Sequence, residues 1–125
     1  MTRAYPRFMS QKIKEAVIRQ VQRLYEAGKL IQGRRHDNHG GRCVLGVIEN
    51  VGFEMQVLTT RLTAGKRAWV DTIVGTNDLG FTDKDIETEF KPGGKVEMTY
   101  PLVPPSNYAE LMLILKDSPV EGEEK

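Results

Sequence analysis

Between Gly33 and Cys43 the chain concentrates most of the side chains that could do chemistry. They are Arg34, Arg35 and Arg42, the imidazoles of His36 and His39, the carboxylate of Asp37, the thiol of Cys43, and the glycines Gly33, Gly40 and Gly41. Anion binding is the first chemistry they suggest. If Cys43 opens a helix, the N–H groups of Gly40 and Gly41 and the helix N-terminus converge on a phosphate or carboxylate. The three arginines then add charge-assisted hydrogen bonds. The plainer reading is a solvated connecting loop, because the Gly-Lys-Ser/Thr of a Walker loop is missing. A cysteine nucleophile is the second. A thiol at a helix N-terminus beside arginines has a lowered pKa, and His36 or His39 can act as its base. Against this, Val44, Leu45 and Val47 follow directly, and a free cysteine among such neighbours is usually a small buried hydrophobe. Zinc is the third, with His36, His39, Cys43 and Asp37 as donors. Structural zinc sites use two or more cysteines, however, and this chain has one. The stretch therefore supports no assigned catalytic residue, with Cys43, His36 and His39 the weak candidates, and it calls for no metal and no cofactor. It does supply a ligand- or partner-binding set: Arg34, Arg35, Arg42, Gly40 and Gly41.

The elements that must hold this loop are read from periodicity. Ser10 is an N-cap residue, and Ile13, Val17, Val21 and Leu24 recur on one helical face. Glu15 and Arg19 add an i,i+4 pair. Gly28 is a stop, so an amphipathic helix runs over 11–27. Its outer face carries Lys12, Arg19 and Arg23, which is either an ordinary solvated face or part of a binding surface. Residues 28–42 form a loop with at most a short extended piece at Leu30 and Ile31. Residues 43–51 are apolar on nearly every side and therefore buried. Their pattern leaves helix and strand open, and Gly46 implies a close backbone approach. Met55, Leu58 and Leu62 have helical spacing. Residues 66–77 read as a helix with Trp69, Ile73 and Val74 on one face. Thr82 and Asp85 make a capping box for a short acidic helix over 83–90, with Ile86 and Phe90 facing the core. Val96, Met98 and Tyr100 alternate as in a strand. Ser106 caps a last helix that runs through Lys116.

The two helices around the turn at 78–82 suggest a helix-turn-helix. The second would place Asp83, Asp85, Glu87 and Glu89 against phosphates with Lys84 as its one cation, so repulsion argues for a plain helical hairpin instead. Charge is nevertheless polarised. Residues 1–42 carry ten basic and three acidic side chains, and the remaining 83 carry eight basic and fourteen acidic, which leaves a net +1 overall. Such a molecule can steer a charged partner or self-associate, or its halves simply neutralise each other across the fold. With 125 residues and 39% hydrophobic composition, the chain suits one globular domain. The longest apolar run, Leu111 to Leu115, is far short of a membrane span. The single cysteine excludes an internal disulfide and, with no signal-like start, implies the cytoplasm.

Two stretches carry a resemblance. One is Gly28-Lys29-Leu30-Ile31-Gln32-Gly33-Arg34 leading into Arg42-Cys43-Val44-Leu45-Gly46-Val47. The other is Ile73-Val74-Gly75-Thr76-Asn77-Asp78-Leu79-Gly80-Phe81-Thr82 followed by Asp85-Ile86. Together, over residues 23–90, the chain resembles a family of short bacteriophage and prophage proteins with a Gln-Gly loop, a Cys-Leu-Gly-Val segment and a later Asn-Asp-x-Gly stretch. It departs from that pattern at Val44, which separates Cys43 from Leu45, and at Glu87, where a small residue is usual. The resemblance implies a viral or mobile-element setting and carries no activity with it.

The expectation is a mainly α fold, a small helical domain over 10–117 with at most one short β element, or an α+β alternative. A basic arm over 1–9 precedes it and an acidic tail over 118–125 follows. The expected function is that of a non-catalytic phage-type accessory protein that binds a host macromolecule in the host cytoplasm. A host protein is the expected partner, with nucleic acid less favoured and a homo-oligomer the further option. The alternatives are a binder of a small anionic or nucleotide ligand, or a small enzyme, at the 34–43 loop, and a self-assembling virion component.

Overall fold

The computed structural model describes residues 10–56 and 68–118. The predicted helix around Met55 to Leu62 falls largely outside them. So do the basic arm, the acidic tail beyond Ser118 and the side chain of Trp69.

Helix α1 spans Gln11–Glu26. Ser10 caps it as the sequence implies, its Oγ accepting from the Ile13 N–H at 3.2 Å. Gly28, with φ of 69°, turns the chain out at the other end. Ile13, Val17 and Val21 are buried. The side chain of Glu15 accepts from Gln11 at 3.0 Å. Segment 43–51 resolves as helix: α2 is Val44–Glu54, with Cys43 as its N-cap residue. Helix α3 is Ala68–Asn77. Helix α4 is Pro105–Asp117 and starts one residue before the predicted Ser106 cap. Pro105 takes the first helical position, where its missing N–H costs nothing.

The four helices close a ring in chain order: α1 packs on α2, α2 on α3, α3 on α4, and α4 back on α1. Val17, Val21, Leu30, Val44, Val47, Ile48, Ile73, Leu111 and Leu115 fill the centre. Tyr25 stacks on Tyr108 at the α1–α4 seam, with ring centroids 3.7 Å apart. At the far end of that seam the Lys14 ammonium donates to the carbonyls of Lys116 (2.5 Å) and Ser118 (2.7 Å). A cation is thereby set where the α4 dipole is negative. The mainly α expectation with a short β element holds.

One predicted element is corrected. The capping box at Thr82 forms, its N–H donating to Asp85 Oδ2 at 2.9 Å. It nucleates only one 3-10 turn, Asp83–Asp85, not an eight-residue helix. The chain then runs extended as β1, Glu87–Lys91, turns at Pro92-Gly93-Gly94 and returns as β2, Lys95–Thr99. The pairing is antiparallel, with Phe90 opposite Val96 and Glu89 opposite Glu97. Gly93 and Gly94 sit at φ of 86° and 79°, which close the hairpin at no steric cost. Phe90 faces solvent at 77% exposure and does not enter the core. With no second helix after the turn, both the helix-turn-helix and the helical-hairpin readings fall away.

Candidate functional site

The loop leaves α1 through Leu30 and Ile31, which form isolated bridges with Arg42 and Leu102, as the short extended piece implies. Gln32 and Gly33 then meet the end of α3. The Gln32 amide donates to the carbonyls of Asn77 (3.0 Å) and Leu79 (3.3 Å). The Gly33 N–H donates to Asp78 Oδ1 at 3.0 Å. Asn77, fully buried, donates to the Ile31 carbonyl at 3.0 Å and accepts from the Val44 N–H at 3.3 Å. Asn107 of α4 donates to the carbonyls of Thr76 (3.3 Å) and Leu79 (2.9 Å). Three buried amides thus satisfy the C-terminal carbonyls of α3, the first turn of α2 and the loop at once. The segments around Gln32-Gly33, Cys43-Val44 and Asn77-Asp78 meet at this point. Residue types alone did not reveal it. The available signal is an amide close to a glycine, adjacent at Gln32-Gly33 and three residues apart at Asn77 and Gly80.

We call this amide cluster the knot, and two glycines serve it for different reasons. Gly33 adopts φ of 85°, which favours glycine, with the Phe81 ring against it, whereas a Cβ on Gly46 would run into the Arg35 carbonyl. That carbonyl also accepts from the Cys43 N–H at 3.3 Å, so the loop lies directly on the first turn of α2. The close approach expected at Gly46 is this one.

The loop supplies its own anion. Asp37 Oδ1 accepts from the N–H groups of His39 (2.8 Å) and Gly41 (2.7 Å), and Asn77 takes the Val44 N–H. The donors expected to converge on a phosphate at Gly41 and the α2 N-terminus are therefore already engaged. The arginines diverge. Arg35 pairs with Glu49 at 3.3 Å. Arg42 donates to Gln20 at 3.4 Å. Arg34 donates to the His36 carbonyl (3.1 Å) and the Tyr100 hydroxyl (3.2 Å), with its guanidinium 5.8 Å from the Tyr100 ring centre.

Cys43 is where the sequence places it, at a helix N-terminus, yet its environment reverses the expected effect. The residue is 3% exposed, and burial pushes its thiol pKa up to about 11 despite Arg35 nearby. His39 instead reaches Glu97 at 3.4 Å, with most of its side chain in solvent. Among the described residues no cluster of three or more His, Cys, Asp or Glu could hold a metal ion. His36, His39, Asp37 and Cys43 are thus neighbours in sequence that do not assemble.

Two surfaces carry the remaining predicted residues. Arg19 and Arg23 line a groove of about 230 Å³ between α1 and α2 with Gln20, Val51, Glu54 and Met55. It adjoins a second hollow bordered by His36, Arg42, Asn50 and Phe53. Gln20 links the two, accepting from both Arg42 and Asn50 at 3.4 Å. Phe53 and Met55 are each 41% exposed there. The third opening, about 150 Å³, lies between the loop and β2, with Arg34, Asp37, Asn38, Val96, Met98 and Tyr100 around it. No described helix is long and apolar enough to cross a membrane. Comparisons of the chain with protein-family models, curated proteins and solved structures find no match.

Proposed function

We propose that the chain is a small phage-type accessory protein, non-catalytic, that acts in the host cytoplasm by binding a host protein through the α1–α2 face. One observation carries the reading: of two adjoining hollows on this face, one sets Arg19, Arg23 and Glu54 around Met55 and the other sets Arg42 and Glu49 around Phe53, and both apolar side chains are 41% exposed. Glu49 is already paired with Arg35, so arginines outnumber the remaining carboxylate, which matches an acidic segment with one or two apolar anchors. The buried thiol and the outward histidines support a binding role over a nucleophilic one. The phage setting rests on the resemblance of the Gln32-Gly33, Cys43 to Val47 and Asn77 to Gly80 stretches.

The test is a paired pull-down from nuclease-treated bacterial lysate, with wild type against Arg19→Glu/Arg23→Glu. Both side chains are exposed on α1, so the variant still folds, with only the small drop in melting temperature expected from a carboxylate in the last turn of the helix. The expected result is one host protein held near one-to-one by wild type and lost by the variant, with affinity falling as salt rises. Equal recovery by both proteins overturns the reading. An empty wild-type pull-down with a concentration-dependent mass that dissolves in salt would instead establish self-assembly.

A further inference from the structure

We propose that the cleft between the loop and β2 is a binding site for a free α-amino acid with an apolar side chain. It is separate from the α1–α2 face, and neither reading depends on the other. Arg34 is fixed by the two hydrogen bonds it donates, from Nε to the His36 carbonyl and from one terminal nitrogen to the Tyr100 hydroxyl. A guanidinium carries five N–H groups, so three remain on a side chain that lines the cleft, enough to receive a carboxylate bidentately. Asp37 lines the same cleft. Its Oδ1 holds the His39 and Gly41 amides, which orients the group and leaves Oδ2 as an acceptor. Among the described residues Arg34 and Asp37 form no ion pair with each other. Opposite charges that share a rim without pairing ask for a ligand that carries both. Val96 and Met98, 51% and 40% exposed, form an apolar wall beside them, with the Tyr100 ring at the base.

A zwitterion fits each part. Its carboxylate takes the Arg34 edge, its ammonium takes Asp37 Oδ2 with the Asn38 amide alongside, and its side chain covers Val96 and Met98. A phosphate would face the Asp37 carboxylate. A plain carboxylate leaves Asp37 without its counter-charge, and a plain amine does the same to Arg34. The open shape, with two walls from a loop and a hairpin strand, sets the affinity in the millimolar range.

The experiment is an amide NMR titration of the full chain with L-leucine and L-methionine. Parallel titrations use 4-methylpentanoate, isoamylamine and orthophosphate, which lack one charge or both apolar and cationic parts. Saturable shifts at Arg34, Asp37 and Met98 are expected with the amino acids, and binding of the three controls should be weaker by ~tenfold or more. Arg34→Gln should lose the amino acid by a similar factor. Met98→Glu, on an exposed wall position that leaves the loop intact, should lose it as well. No shift at these amides up to about 10 mM amino acid overturns the site. Equal binding of a single-charge control or of phosphate overturns the zwitterion assignment, and so does retention of leucine by both variants.

Discussion

Around Asn77, the amides of Gln32, Asn77 and Asn107 bond to backbone groups 28 to 47 residues away. In the β1–β2 hairpin the ion pairs are short in sequence range, with Lys91 between Glu89 of its own strand (3.4 Å) and Glu97 of β2 (3.2 Å). The three amides of the knot are buried, and shape constrains the packing beside them: Gly46 admits no side chain against the Arg35 carbonyl. Every β1 residue is exposed, and Phe90 and Val96 sit opposite one another in water. A two-stranded hairpin has little stability of its own. The difference separates architecture from presentation. The knot determines where the loop lies, and the hairpin offers a face for the loop to look at. The residues most distinctive in sequence are spent on the first task.

The sharpest way to break this contrast is Gly46→Ala. The new methyl group would occupy the Arg35 carbonyl, and neither backbone can move without opening the knot. We expect a loss of about 2–3 kcal/mol in urea unfolding, even after the helix propensity that alanine adds in α2. A loss below 1 kcal/mol on the same measurement, about the cost of an ordinary surface change, would show that the loop does not rest on α2 as described.

The next effect is a pH dependence. Below pH 9 the Cys43 thiol is protonated in both folded and unfolded chains and contributes nothing. From its unfolded value of 9.0 up to about 11, the unfolded chain ionises while the fold retains its proton, so stability falls. Two pKa units correspond to at most about 2.7 kcal/mol. Cys43→Ala should flatten that alkaline slope, and wild type should resist iodoacetamide at pH 8 until it is unfolded. Rapid alkylation of the native protein at pH 8 would contradict the buried thiol.

The smallest effect belongs to the hairpin. Phe90→Ser removes a side chain that is 77% exposed and should change stability by no more than ~0.5 kcal/mol. Hydrogen exchange should show β1 amides exchanging long before those of Ile31 and Val44. A Phe90→Ser loss comparable to Gly46→Ala would mean that the hairpin belongs to the core.

What could be read in advance divides along the same line. Helix α1 was legible because every part of its signal is local: the Ser10 cap, the apolar spacing from Ile13 to Val21, the Gly28 stop. The close approach at Gly46 was legible from glycine alone, though what approaches it, the Arg35 carbonyl, was not. Segment 43–51 leaves helix and strand open because it is apolar on nearly every side, and the partners that bury it, α1, α3 and Asn77 at the Val44 N–H, are distant in sequence. Thr82 and Asp85 gave a true local signal whose reach is one turn. Beyond it, pairing with Lys95–Thr99 outweighed helix propensity. Composition marks the loop as polar and dense but does not show that Asp37 occupies the amides of His39 and Gly41.

The Lys14 ammonium on the last carbonyls of α4 has one more consequence. It brings the start of the first helix and the end of the last within a side chain's length. The helical ring is therefore closed in space as well as in chain order, and a short linker could join its two ends. New termini opened at Pro92-Gly93-Gly94, where the hairpin turn is exposed, would leave all four helices and the knot uncut. The ring of described helices in this sense has its seam beside Lys14.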